Sequence, residues 1–168
     1  MITLGVDPGM TGAVSALAYN GDILLCEDLP IIKDGALAWC DADTLLSMIL
    51  AIPRNGHELH AVVERQSARP GQGVSSSFKI GTGLGSLLAV VQIARASLQL
   101  VTAGTWKREL GLSDDKNASC DKARLLFPAA PVTLKKLHGR AESLLIAHWA
   151  LNRRKMAAFC GQSLQDRV

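Results

Sequence analysis

The first third of the chain alternates short apolar runs with polar breaks at the spacing of β-strands. Ile2–Val6 is a β-branched run that stops at "DPGMTG", and Ala13–Tyr19 ("AVSALAY") reads as a second strand. Asn20-Gly21 is a two-residue hairpin signal, after which "DILLCEDL" returns as a third strand. The period then changes. "TLLSMILAI" repeats its apolar residues at helical spacing, can be capped by Asp41 or Asp43, and ends before Pro53. "LHAVVE" (Leu59–Glu64) is a buried-type strand closed by a carboxylate, followed by the polar, glycine-rich loop "RQSARPGQGVSSS" and a long apolar helix over roughly residues 76–96. "LQLVT" (Leu98–Thr102) predicts a fifth strand, and three helical segments follow, around Trp106–Leu110, Ala118–Phe127 and Arg140–Arg154. An antiparallel meander leading into β-α-β crossovers implies an α/β fold. Its mixed five-stranded sheet is flanked by helices on both faces, in one domain spanning residues 1–168.

Composition narrows this picture. With 48% apolar and 20% charged residues, 168 residues can bury a core without staples. The strongest apolar stretch, Leu84–Ile93, is interrupted by Gly85, Ser86 and Gln92 and is short of the roughly 20 residues of a membrane span, so no membrane partner is expected. "MITLGVDPG" lacks the basic flank and apolar core of a secretory signal. Cys26, Cys40, Cys120 and Cys160 form no C-x-x-C pair and read as reduced, buried thiols of a cytoplasmic protein. Charge is unevenly spread. Residues 1–66 hold three Lys/Arg against nine Asp/Glu, whereas residues 67–100 hold three bases and no acid, and residues 101–168 twelve bases and six acids. An acidic first third and a basic remainder suit a cation-assisted enzyme acting on a polyanion, although a solvated surface produces the same pattern.

Three carboxylates carry the candidate chemistry. Asp7 ends the first strand before Pro8, Gly9 and Gly12, and Glu64 ends the fourth. A carboxylate at the end of a buried strand is costly unless it is paired or binds a cation. If the two strands are neighbours, the two acids converge, and hard oxygen ligands suit Mg²⁺ or Mn²⁺. In "LHGRAESLLIAHW", His138 and Glu142 are four apart and share a helix face. They are either a surface polar pair or two arms of the same metal site. His148, further along that helix, reads as a packed histidine, and His57 and His60 as residues flanking a strand.

In order along the chain, "GVDPGMTG", "AVVERQ" and "GRAESLLIAHWAL" resemble the RuvC-type Holliday-junction resolvases of the ribonuclease-H-like superfamily. "KIGTGLGSLLAVV" and "VTAGTWKRELGL…DKNASCDKARLLFP" are similar to the phage-type branch of that family. The resemblance implies a structure-selective endonuclease that cuts four-way and other branched DNA as a homodimer, in a bacterial or phage-infected cell. Two divalent ions, Mg²⁺ or Mn²⁺, would be held by Asp7, Glu64 and Glu142, and by His138, which stands one residue before Gly139, the position where the family commonly has a second acid. One ion would activate water and the other stabilise the leaving oxygen. Lys107 and Lys116 match the basic residues placed near the scissile phosphate. Lys79, Lys122, Arg124, Lys135, Lys136 and Arg140 would contact phosphates, with Arg69 able to stack on a base. The long helix, with Gly81 and Gly85 four apart, would serve a two-fold dimer matched to the symmetry of a four-way junction. One departure is plain: the loop after Glu64 contains no aromatic residue that could wedge into a junction. Two other readings share part of this pattern, a related nuclease acting on structured RNA and a catalytically degenerate junction-binding protein. The ATP-binding fold of sugar kinases and actin also starts strand–Asp–Gly–turn, but it needs two such domains, and no nucleotide cofactor is expected.

Overall fold

The computed structural model describes residues 1–35, 37–68, 70–113, 115–132 and 137–165. Its first three strands, β1 (Ile2–Asp7), β2 (Ala13–Ala18) and β3 (Ile23–Asp28), form the expected meander, with Ile2 opposite Ala18 and Asp7 opposite Ala13. Gly21 takes a positive φ of 101° in the β2–β3 turn, where a side chain would be strained. A short hairpin follows, β4 (Ile31–Asp34) and β5 (Leu37–Cys40), and then α1 (Ala42–Leu50), capped by the Asp41 carboxylate on the Thr44 amide. β6 (Leu59–Glu64) runs parallel to β1, and β7 (Ser97–Val101), reached through α2 (Val74–Ile93), runs parallel to β6. α3 (Ala103–Glu109), α4 (Lys116–Leu126) and α5 (His138–Gln165) complete the order. The sheet reads β3-β2-β1-β6-β7 and is the mixed five-stranded sheet expected from the sequence.

Strand alternation divides the core between the two faces of this sheet. Ile2, Leu4 and Val6 of β1, with Leu59, Ala61 and Val63 of β6, pack under α1 and α2. The opposite parity faces α5: Val62 of β6 and Leu17 of β2 join Leu144, Leu145, Ile146 and Leu151 of that helix. Each of these fully buried leucines contributes about 1.5–3 kcal/mol of transfer free energy. Gly5 lets α5 lie directly on β1, since a Cβ there would sit 2.1 Å from the Ser143 carbonyl oxygen and 2.4 Å from the Ala147 nitrogen.

Four features depart from the sequence reading. The β4–β5 hairpin departs from the expected order; its strands are four residues each, too short to show a period, and it packs through β5 against α2 rather than joining the main sheet. α5 runs from His138 to Gln165, longer at both ends than the apolar stretch that announced it. Cys26, Cys40 and Cys120 are buried thiols, but Cys160 is exposed, as are the residues 156–159 that precede it on α5. α2 is long and apolar enough to cross a membrane by length and composition, with a mean hydropathy of 1.3 over its most apolar window and only 17% of that window buried. Of the residues that interrupt the stretch, Gly85 and Ser86 are close to neutral in hydropathy and only Gln92 is strongly polar.

Candidate active site

The strand parity that seats α5 also aims the carboxylates. Asp7 shares its face of β1 with Thr3 and Gly5, and Gly5 touches α5. Glu64 shares its face of β6 with Val62, which packs in the α5 layer. Because Val6 pairs with Val63 in parallel register, Asp7 and Glu64 leave the sheet side by side, at the same end and toward the same helix. Glu142 lies one residue before Ser143, whose hydroxyl is 2.6 Å from that of Ser15 on β2. The start of α5 is held against the β1–β2 turn: a Cβ on Gly139 would come within 2.3 Å of the Thr11 carbonyl oxygen. His138 is the first residue of α5, one turn from Glu142 on the same face.

Each glutamate has named partners. The buried Trp106 indole donates from Nε1 to Glu64 Oε2 at 2.8 Å. Lys107, the next residue of α3, places Nζ 2.9 Å from Glu142 Oε1 and 5.3 Å from the centre of the Trp106 ring. The buried Ser119 hydroxyl of α4 donates to the same Glu142 oxygen at 3.1 Å. Burial raises the Glu64 pKa above the usual carboxylate range; the Trp106 hydrogen bond and the Lys107 charge act in the opposite direction, and the nearby Glu142 charge reinforces the rise. Glu64 and Glu142 therefore sense each other electrostatically, and the Lys107 ammonium is their shared counter-charge. An oxygen-rich set of this kind fits a hard divalent cation in its chemistry. As they stand, no three or more His, Cys, Asp or Glu side chains among the described residues are gathered closely enough to hold one.

Trp106 and Ser119 were not singled out from the sequence. Both lie inside segments quoted for their lysines, and nothing in their spacing marks an indole or a hydroxyl as a carboxylate's partner. Beside Glu64 opens a polar cleft of about 540 Å³ whose lining includes Arg65, Gln66, Pro70 and Gln72. Arg65 and Lys79 are exposed and Lys122 is half-buried. Arg124 donates to the Val132 carbonyl and pairs with Asp121. Arg140 does not offer the open phosphate contact expected of it: its guanidinium is mostly buried and grips Asp28 at 2.7 Å and Glu27 at 3.0 Å, tying α5 to the end of β3. Lys116 opens α4, but its side chain lies outside the described residues, as do Arg69, Lys135 and Lys136. His148 is packed as expected, edge-on to Phe127 and bonded to Asn152, with burial lowering its pKa. His60 lies within β6, bonded to Ser97.

The sheet order, its parallel and antiparallel pairings and the helix laid across β1 define the ribonuclease-H-like fold. No family model matches the chain. Over 97 residues it is 37% identical to the Holliday junction resolvase MOC1, chloroplastic, of Chlamydomonas reinhardtii. That match takes in 55% of this chain and spans only 11% of the length of the relative. Thermus thermophilus RuvC in complex with Holliday junction substrate superposes with a TM-score of 0.66 at 18% identity, covering 92% of this chain and 96% of that one. A second Thermus thermophilus RuvC structure gives a TM-score of 0.55 with the same coverage. The resemblance to RuvC-type resolvases read from the motifs is thus borne out in sequence over half the chain and in fold over nearly all of it.

Proposed function

We propose that this protein is a structure-selective DNA endonuclease that cleaves four-way junctions, and other branched DNA less strictly, with Mg²⁺ or Mn²⁺. One observation carries the reading. The parallel register of β1 and β6 sends Asp7 and Glu64 out of the same end of the sheet toward the helix that bears Glu142, in a fold shared with RuvC. Asp7, Glu64 and Glu142, with His138 one turn from Glu142, would hold the metal. Bound there, a pair of divalent ions supplies an activated water and charge compensation at the leaving oxygen. The chain's own groups do the rest. Trp106 and Ser119 fix the two glutamates by hydrogen bonds, and Lys107, packed over the indole, adds a positive charge where negative charge develops on the phosphate. Arg65, Lys79, Lys116, Lys122 and Arg124 provide phosphate contacts that give affinity without sequence information.

The reading includes a two-fold dimer. α2 leaves Val74, Phe78 and Ile93 largely exposed, and its Gly81 and Gly85 have open space where a Cβ would stand. A second copy laid along this face would cover it and present one site to each of two opposed strands. The test is a labelled synthetic junction incubated with Mg²⁺ or Mn²⁺, alongside structured RNA of similar size. Paired nicks in the junction and none in the RNA are expected. The Asp7→Asn variant should lose cleavage by several orders of magnitude and keep junction affinity within a few-fold. Cleavage by that variant would remove Asp7 from the chemistry. Binding by the wild type without cutting in either ion would leave a junction-binding protein.

A further inference from the structure

The loop after Glu64 contains no aromatic residue, yet the fold brings one to it from elsewhere. A cavity of about 210 Å³ lies between the β4–β5 hairpin and α2, lined by Trp39 and by Ile31, Leu84 and Leu87. Its lining reaches the candidate site: Gly9 is two residues beyond Asp7, and Gln66 two beyond Glu64. The Gln66 amide donates to the Pro8 carbonyl, so the two loops that follow the strand-end acids are tied together there. Three polar side chains take part, Gln66, Ser76 and Lys79, and no carboxylate does among the described lining. Met10, half exposed, belongs to the same lining.

These properties select an occupant. The volume is below the ~300–1,000 Å³ of pockets for drug-sized ligands and suits a single flat ring system. Apolar walls with one indole suit a π-face, and an amide and a hydroxyl suit a polar ring edge. A cation without a competing acid suits an attached phosphate. An apolar peptide side chain would leave the Lys79 ammonium unmatched and make no use of the polar atoms that Gln66 and Ser76 keep beside their bonds to Pro8 and Gln72. A nucleobase on its backbone uses all of them, and bases at a branch point unstack at lower cost than those within a duplex.

We propose that this cavity receives one unstacked nucleobase from the branch point of the DNA, against Trp39 and with its adjoining phosphate at Lys79. This rests on the junction-cleaving reading above and supplies the aromatic contact that the loop lacks. The test places 5-iodouracil at successive positions around the branch of a synthetic junction and photo-cross-links it to the non-cutting Asp7→Asn protein. Adducts should map to Trp39 or Met10. Gly83→Leu should reduce them about tenfold, the loss of one base–aromatic stack, because a side chain at Gly83 meets nothing within 4 Å and so extends into the cavity it lines. Lys79→Gln, which leaves the cavity walls intact, should weaken the same adducts. Independently, thymidine 5′-monophosphate should shift the Trp39 indole N–H resonance of the wild-type chain, and Gly83→Leu should abolish that shift. Adducts mapping only to other residues, or persisting undiminished in Gly83→Leu, would overturn the proposal, as would an unmoved Trp39 resonance. If the wild type still cuts junctions in that case, the pocket alone is wrong; if it neither binds nor cuts them, the junction reading fails with it.

Discussion

At the scale of residues, the informative contact is one between an indole and a carboxylate. Trp106 is buried and spends its single N–H on Glu64, while its ring supports the ammonium of Lys107, which pairs with Glu142. One side chain therefore orients an acid and a base on two different elements. Replacing it by phenylalanine keeps most of the apolar volume and removes the hydrogen bond, leaving a half-buried carboxylate short of a donor at a cost of about 1–3 kcal/mol. Trp106→Phe should weaken Mn²⁺ binding measured by calorimetry by about tenfold and lower the cleavage rate with it. A fall in melting temperature with unchanged metal affinity would make Trp106 merely structural. His138 yields a second expectation. Imidazole accepts Mn²⁺ more readily than Mg²⁺, so His138→Asp should raise the rate with Mg²⁺ relative to Mn²⁺. An unchanged ratio would place His138 outside the metal's ligands. The carboxylates themselves were legible in the sequence, because an acid at the end of an apolar strand is a conspicuous expense. Their partners were not, since an indole donor looks like any other core tryptophan until α3 is folded beneath β6.

Among elements, α5 decides whether there is a site at all. It crosses β1 at Gly5 and meets the β1–β2 turn at Gly139, two contacts too close for any side chain. Ser15 and Ser143 join the same interface through a buried hydroxyl pair, and Arg140 fastens the helix start to Asp28. A methyl at Gly5 would have to push the helix off the strand. Overpacking of that kind costs about 1–3 kcal/mol, and here it would also move Glu142 away from Glu64. Gly5→Ala should lower the melting temperature by several degrees and lower cleavage more than the lost stability explains. A variant as active as the wild type would show that the seat of α5 is not critical. The apolar pattern announces this helix over Arg140–Arg154, but its first turn, "HGRA", contains no apolar period, and only the spacing of His138 and Glu142 hints at the earlier start. Its true start is set by packing against Thr11 and Gly12. The β4–β5 hairpin escaped for a related reason: four-residue strands have too few positions to display alternation, and their partner, α2, is distant in sequence.

At the scale of the molecule, the acidic first third and the basic remainder meet at one end of the sheet, where β1 and β6 deliver acids and α3 delivers Lys107. On the α1–α2 side, the outward face of α2 leaves an apolar stripe whose glycines admit close approach. The proposed dimer places a second copy there. Gly85→Glu puts a charge into that stripe while improving helix propensity by about 0.5–1 kcal/mol, so the chain should remain folded. Sedimentation should show a dimer for the wild type and a monomer for the variant. A wild type that sediments as a monomer, or that partitions into lipid vesicles through this helix, would remove the dimer.

The sequence alone determined the order of the principal elements, the mixed sheet and the three strand- and helix-borne acids, because strand alternation, turn chemistry and the cost of buried charge are local and leave local marks. Only the tertiary structure decided that Trp106 and Ser119 hold the two glutamates, that Arg140 is bound within the fold, and that Trp39 stands beside the loop that lacks an aromatic. Those outcomes depend on which elements lie against one another, and proximity across dozens of residues leaves no period in a chain to be read.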